Sequence, residues 1–368
     1  MKTTTTILKK NFLQIVGFCL VAIYSANAQE GTTILPGTTF AGSADFYYKY
    51  DFAEVDNSYT SFTKSHDSYE IGMASIEASH KLGKASIFVD LGFGSRASEF
   101  TYNDADNTFM IKQMYITYDF SPSFKVTAGS FGTHIGYELV DAVDNKNYSM
   151  SYAFTNGPFF NTGVKAQYTS GKYSFMAGVT NPTDFKTAAR SKTNQKTFIG
   201  QIGYTTASGS AFLNFTTGSN NYNRNLGANT NSAFDVNKTQ FDFVGSRKLN
   251  TNLTLGFNGT YAMFKDDNNS DLDANWFSLV GYLNYAFKAK WSVAYRLEYF
   301  DNKDGAIDID EAKSSIIGNT LSFNYKEGNF TFIPEVRFDS SSEDIFKKKD
   351  GSAVGSSAYV LFATTYSF

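Results

Sequence analysis

From Phe40 onward, apolar and aromatic side chains recur at every second position over stretches much longer than an ordinary soluble strand. Phe40, Gly42, Ala44, Phe46, Tyr48, Tyr50 and Phe52 alternate with Ala41, Ser43, Asp45, Tyr47, Lys49 and Asp51. Successive strand side chains point to opposite faces, so one face is greasy and the other small or polar. The pattern returns at Leu253, Leu255, Phe257, Tyr261 and Met263. It returns again at Trp291, Val293, Tyr295, Leu297 and Tyr299, and at Ala358, Val360, Phe362, Tyr366 and Phe368. A chain patterned this way is all-β.

The connections fall into two classes. Lys81-Leu82-Gly83, Ser121-Pro122-Ser123, Ser170-Gly171-Lys172, Ala207-Ser208-Gly209, Leu249-Asn250-Thr251, Lys288-Ala289-Lys290 and Lys326-Glu327-Gly328-Asn329 are hairpin-length turns. Segments such as 220–237, 265–274 and 301–313 are longer and polar. Seven short turns and eight long loops imply about 16 strands, with both strand-forming ends on the short-turn side. A soluble sandwich would bury the apolar face, whereas a membrane barrel turns it to lipid. Expected strand lengths of about ten to thirteen residues suit a tilted bilayer crossing better than a soluble strand of about five or six. Aromatics beside the short turns (Tyr118, Phe120, Phe124; Tyr285, Phe287, Trp291; Tyr325, Phe330, Phe332) suit an interfacial girdle. The expectation is a transmembrane antiparallel up-and-down β-barrel with short periplasmic turns and long extracellular loops. Lipid supplies no hydrogen bonds, so such a sheet must close.

Composition narrows the function. The 368 residues carry 36 Phe, 24 Tyr and 2 Trp, but one Cys and three His, so a zinc or iron–sulfur centre is not expected. A near-balance of 32 basic and 35 acidic residues gives no electrostatic case for nucleic acid. Mean hydropathy is −0.29, which excludes a bundle of apolar membrane helices. The first 28 residues have a Lys-bearing start (Lys2, Lys9, Lys10), an apolar stretch from Phe12 to Tyr24, and Ala26-Asn27-Ala28 before Gln29. That order predicts a secretory signal peptide over 1–28. Phe18 before Cys19 occupies the place where lipidation needs a small residue. Residues 29–39 then form a periplasmic N-terminal segment and 40–368 a single barrel. The mature balance becomes 29 basic against 35 acidic, a net of −6, with no Cys for a disulfide.

Three stretches fit the alternation poorly. Pro334 falls within FTFIPEVRF, where it removes a ladder donor, and a local bulge is expected there. Lys112 shares parity with Met110, Met114, Ile116 and Tyr118, which means snorkelling near a loop or a position beyond a bulge. The stretch YEIGMASIEASH alternates weakly.

The segment Gly129 to Pro182, GSFGTHIGYELVDAVDNKNYSMSYAFTNGPFFNTGVKAQYTSGKYSFMAGVTNP, resembles the OmpL-like outer-membrane β-barrel porins. GSADFYYKYDF, from Gly42 to Phe52, is similar to their first strand, and Phe368 to the terminal aromatic that presents such barrels to the assembly machinery. The resemblance implies location in the outer membrane of a Gram-negative bacterium and passive diffusion of small hydrophilic solutes. It implies neither catalytic residues nor a cofactor. The implied surroundings are lipid bilayer and lipopolysaccharide, and a homo-oligomer is left open.

A barrel of this size is too wide for its own side chains to fill. The expected pore-lining face carries Asp45, Lys49, Asp90, Arg96, Lys165, Asp242, Arg296, Glu298, Glu335 and Arg337. The longest expected loop, about 134–157, is the third long one, the loop that narrows general porins. His134, Glu138, Asp141, Asp144 and Lys146 are its candidate constriction residues, acidic on balance, which points to weak cation preference. Two readings compete with an open porin: an occluded barrel acting as adhesin or receptor through its loops, and a substrate-specific channel.

FDNKDGAIDIDE, from Phe300 to Glu311, mimics a calcium loop but starts on Phe and is flanked by strands, so an acidic surface loop is expected. DDNNSDLD, from Asp266 to Asp273, reads the same way. Ser65-His66-Asp67 is contiguous, which is not how a hydrolytic triad is assembled. The N-terminal reading is tested by sequencing the protein purified from outer membranes. A first residue of Gln29 is expected, and an acylated start at Cys19 contradicts it.

Overall fold

The computed structural model describes residues 36–101, 110–187, 195–220, 236–266, 270–309 and 313–368. The expected signal segment lies outside them. Long strands dominate: β1 Thr38–Asp51, β2 Ser68–Leu82, β3 Ala85–Phe93, β4 Ile111–Ser121, β5 Phe124–Gly132, β6 Phe160–Ser170, β7 Tyr173–Thr180 and β8 Thr197–Thr206. They continue as β9 Gly209–Asn220, β10 Val236–Lys248, β11 Leu253–Asp266, β12 Ala274–Lys288, β13 Trp291–Asp301, β14 Ser315–Glu327 and β15 Phe330–Ser341. A small hairpin, β16 Phe346–Lys347 with β17 Ala353–Val354, precedes the last strand, β18 Ser356–Ser367. Two short helices, α1 Ser95–Phe100 and α2 Tyr152–Thr155, lie in long loops.

Among the described residues, β1–β15 and β18 form one closed antiparallel barrel of sixteen strands. The seam is the β1–β18 ladder, running from Ser43↔Ser367 to Asp51↔Tyr359. Gly42 and Phe368 finish it with reciprocal backbone bonds of 3.1 and 2.9 Å. With no free edge, the ladder satisfies peptide groups that lipid could not.

Seven short connections join the expected strand pairs on one side, and six of them are two residues long. Gly83, Gly171 and Gly328 each take the first position of such a turn with φ near +60°, where a side chain would be strained. Of the eight long loops on the other side, 133–159 is the longest.

The outer face is apolar. Ile116, Leu213, Leu279, Val336 and Phe362 are exposed at mid-strand, as are Phe198 and Ile317 nearer the long-loop ends of β8 and β14. Aromatic pairs ring the short-turn side, with Tyr118–Phe120, Tyr173–Tyr204 and Trp291–Tyr325 centroids 4.9, 5.1 and 4.8 Å apart. The barrel floats in this belt and girdle.

The irregular stretches have separate causes. In β4, Asp90 pairs with Gln113 and Leu91 with Ile111, so Lys112 is an extra, bulged residue that turns inward. Of the two readings for Lys112, the bulge is the one observed. In β2, Ala74 pairs with Ala44 and Ile71 with Phe46, leaving Gly72 and Met73 opposite Asp45. This bulge reverses the outward parity from Tyr69 and Ile71 to Ala74, which explains the weak alternation. The bulge expected at Pro334 is corrected: Ser322↔Glu335 and Tyr325↔Phe332 keep one register, and only the pairs between them are lost. Pro334 has no N–H to give, so the ladder opens locally without an inserted residue.

A charge on the lipid face tests this orientation. Leu279→Arg should lower the stability of the barrel refolded in vesicles by about 2–4 kcal/mol. Ser210→Arg, on the opposite face, should change it by no more than about 0.5 kcal/mol. Equal effects would contradict the assignment of faces.

Candidate functional site

The loop 133–159 leaves β5, enters the barrel and packs against β1 and β12–β18. Its peptide groups have left water and need partners. Glu298 on β13 accepts the N–H groups of Tyr152 and Ala153, both at 2.8 Å, capping the first turn of α2. Glu335 on β15 accepts those of Tyr148 and Ser149, at 2.7 and 3.1 Å. The loop carbonyls go to arginines. Arg296 donates to Ser149 O at 2.5 Å and pairs with Glu138 of the loop at 2.5 Å. Arg337 donates to Met150 O at 2.6 Å while paired with Asp339 at 2.9 Å. Arg296, Glu298, Glu335 and Arg337 are each no more than 2% exposed.

Further fastenings surround this patch. The Tyr148 hydroxyl donates to Asp45 at 2.5 Å, and that of Tyr152 to Asp339 at 2.9 Å. Asn147 and Asn324 tie the loop to β14 through Ser322 at 2.8 Å and Lys146 O at 3.0 Å. Tyr148, Met150 and Tyr152 are wholly buried. Buried charges are tolerated here because each has a counter-ion or several hydrogen bonds.

A cavity of about 600 Å³ lies between loop residues 132–144 and the wall of β2–β4 and β8–β10. Among the described residues five carboxylates border it (Glu77, Asp90, Glu138, Asp141 and Asp144), with Lys112 as the one Lys or Arg. The β8–β10 side is neutral and polar, with Gln201, Ser210, Asn214 and Ser246 beside Phe212. Asp242 is not available there: Asn258, Thr260, Asn214 and the Gly136 N–H all donate to it, at 2.6, 2.6, 2.9 and 3.2 Å. His134 donates from Nε2 to Phe215 O at 2.9 Å. A second cavity of about 640 Å³ lies at the short-turn end, beside Lys81, Lys84, Lys125 and Asp119.

The long-loop end is drawn together. Lys49, wholly buried, pairs with Asp56 at 2.9 Å, donates to Thr63 O at 3.0 Å and lies over the Tyr359 ring. Phe62, Phe100, Phe154 and Phe159 pack as one aromatic cluster. Tyr59 donates to Ile345 O at 2.6 Å, and Glu54 pairs with Lys349 at 2.5 Å. That hydrogen bond and charge hold the Glu54 carboxyl below its ordinary range and the Lys349 ammonium above it.

The wall residues expected from parity therefore divide. Asp45, Arg296, Glu298, Glu335 and Arg337 lie beneath the loop rather than against water, because parity reports a face and not what covers it. Arg96 is corrected: it belongs to α1, beyond the end of β3, where its Nη1 donates to Val140 O at 3.1 Å. Asp90 borders the cavity of about 600 Å³, and half-buried Lys165 lies 4.0 Å over the Phe131 ring. Of the loop residues, His134, Glu138, Asp141 and Asp144 border the cavity, while Lys146 is exposed elsewhere. Lys112, Glu77 and the neutral residues of β8–β10 were not anticipated. The parity fault at Lys112 was the one available signal.

Other motifs are engaged locally. Asn302 brackets Ile307 through its N–H and carbonyl at 2.9 and 2.7 Å, and Glu311 lies outside the described residues. Of the segment Asp266 to Asp273, residues 267–269 lie outside them too. His66 accepts the Asp51 N–H at 3.2 Å, and Asp67 accepts the Tyr48 hydroxyl at 2.6 Å, so the two are not joined as a relay.

The fold is similar to that of several solved outer-membrane barrels. The outer-membrane expressed OmpT of Vibrio cholerae is 13% identical, with a TM-score of 0.60, covering 92% of this chain and 100% of its own. An anion-selective porin from Comamonas acidovorans is 11% identical, with a TM-score of 0.60 and coverage of 90% and 99%. OprB of Pseudomonas putida, in its high-pH structure, is 12% identical, with a TM-score of 0.61 and coverage of 90% and 94%. At such identities the likeness is one of fold. No curated protein matches the chain in sequence. Residues 37–368 match the family described as "Putative beta-barrel porin-2, OmpL-like". The chain belongs to this family of β-barrel porins and is an outer-membrane protein.

Proposed function

We propose that small hydrophilic solutes cross this barrel off its axis, between the inserted loop and the wall of β2–β4 and β8–β10. The observation that carries the reading is the cavity of about 600 Å³, which sets carboxylates on one side and amides and hydroxyls on the other among apolar side chains such as Phe88, Ile135 and Phe212. Loop 133–159 is the constriction, and His134, Glu138, Asp141 and Asp144 set its width and charge. Arg296 offsets Glu138 and Lys112 offsets one of Asp90 and Asp141, and the carboxylates left over favour cations weakly. An anion-selective porin shares this fold, so the sign of selectivity is a matter of lining and not of architecture. The protein acts without catalysis and without a cofactor. Exported through residues 1–28, it contacts phospholipid and lipopolysaccharide through its belt and reaches the assembly machinery through Phe368.

The competing reading, an occluded barrel whose loops bind a partner, draws on the aromatic cluster of Phe62, Phe100, Phe154 and Phe159 over the outer half. Osmotic swelling of proteoliposomes separates the two, because an occluded barrel does not relieve the stress.

In planar bilayers the purified protein should open stable channels whose reversal potential in a KCl gradient has the sign of cation preference. Silence refutes the channel, and the opposite sign refutes the acidic constriction. The fastening of the loop is tested separately with Glu298→Ala and Glu335→Ala. Each leaves two buried N–H groups unpaired, at about 1–3 kcal/mol apiece, so trypsin should cut at Lys146 faster than in the parent. Unchanged cleavage rates would contradict the role given to these carboxylates.

A further inference from the structure

We infer that Lys112 sets the strength of the channel's charge selectivity. The inference rests on the conduit proposed above. Lys112 has the outward parity of Met110, Met114 and Ile116, and an unbroken strand would drive its ammonium into lipid. The bulge turns it inward instead, at the expense of one ladder position. There its Nζ lies 2.7 Å from the Asp141 carboxylate of the loop, 3.0 Å from Asp90 on β3 and 2.9 Å from the Ser75 hydroxyl. The side chain is 2% exposed, so its position is tightly defined.

This placement gives the lysine two effects. It fastens the cavity-facing edge of the loop, on the side away from Arg296 and Arg337. It also cancels one of the two carboxylate charges beside it, leaving the group of three at a net of −1. Among the described residues no other Lys or Arg borders that cavity. Loss of the ammonium therefore raises the negative charge next to the conduit by one unit, where the wall is of low dielectric and screening is weak. Purely structural fastening would not need a charge, because a buried ion group is commonly replaceable by apolar residues without loss. Fastening alone would change conductance noise and stability but not the sign or size of selectivity.

The test compares reversal potentials in a KCl gradient at pH 8 for the full-length mature protein, K112M, K112R, D90N and the double variant D90N/K112M. K112M should raise the cation-to-anion permeability ratio about fivefold, the Boltzmann factor of roughly one close unit charge in water. K112R should keep the parent ratio, and D90N should lower it. D90N/K112M restores a net of −1 and should return toward the parent. A conducting K112M with the parent's reversal potential overturns the inference while leaving the channel reading intact. Should K112M fail to fold, an unchanged ratio in D90N overturns it equally. A parent protein that gives no channels overturns the channel reading first and this inference with it.

Discussion

A loop carried into the middle of a barrel brings peptide groups that have lost their water, and the wall must take them up. Here carboxylates and guanidinia on β13 and β15 do so, with Glu298 and Glu335 each gripping two consecutive N–H groups and Arg296 and Arg337 gripping the carbonyls between. Such bonds are worth most where the dielectric is low and are expensive to leave unmade. They decide where the loop lies, and so where it does not. Against β13–β15 the lumen is filled by the loop, and on the loop's other side a cavity of about 600 Å³ remains. The closed ladder supplies the cylinder, while this patch makes the cylinder asymmetric.

The asymmetry gives the two halves of the wall separate work. Around β13–β15 the charges are spent on the loop and present little to water. Around β8–β10 the wall offers amides and hydroxyls, and the loop itself supplies the carboxylates that face them. In the proposed conduit the charge that a solute meets is thus carried mainly by the loop rather than by the strands.

Much of this architecture was legible in the sequence, because strand parity and turn chemistry are local. The alternation at Trp291, Val293, Tyr295 and Leu297 marks a strand and its lipid face, and Gly83, Gly171 and Gly328 mark turns that demand positive φ. The strand count and the loop classes follow from these. Where parity fails, at Gly72-Met73 and Lys112, the cause is a bulge, whose extra residue is defined by its partner strand and so cannot be placed from one chain segment alone. Pro334 shows the converse, a rule broken without an inserted residue. Strand parity turns Glu298, Glu335 and Arg337 inward, but what covers them is a loop distant in sequence. Arg96 sits on α1 rather than on a strand, because α1 follows β3 after a single glycine, Gly94, and carries no apolar period of its own.

Thiol accessibility measures the half-filled lumen most directly, since the only cysteine, Cys19, belongs to the expected signal segment. Single cysteines at Ser210 and Ser246, bordering the cavity, and at Ser322, beneath the loop, can be challenged with a small charged reagent on intact barrels. Ser210→Cys and Ser246→Cys should react at rates near those of an open thiol, and Ser322→Cys should be protected until the barrel is denatured. Equal labelling at all three positions would mean that the loop does not occupy its half of the barrel, and protection at all three that there is no conduit.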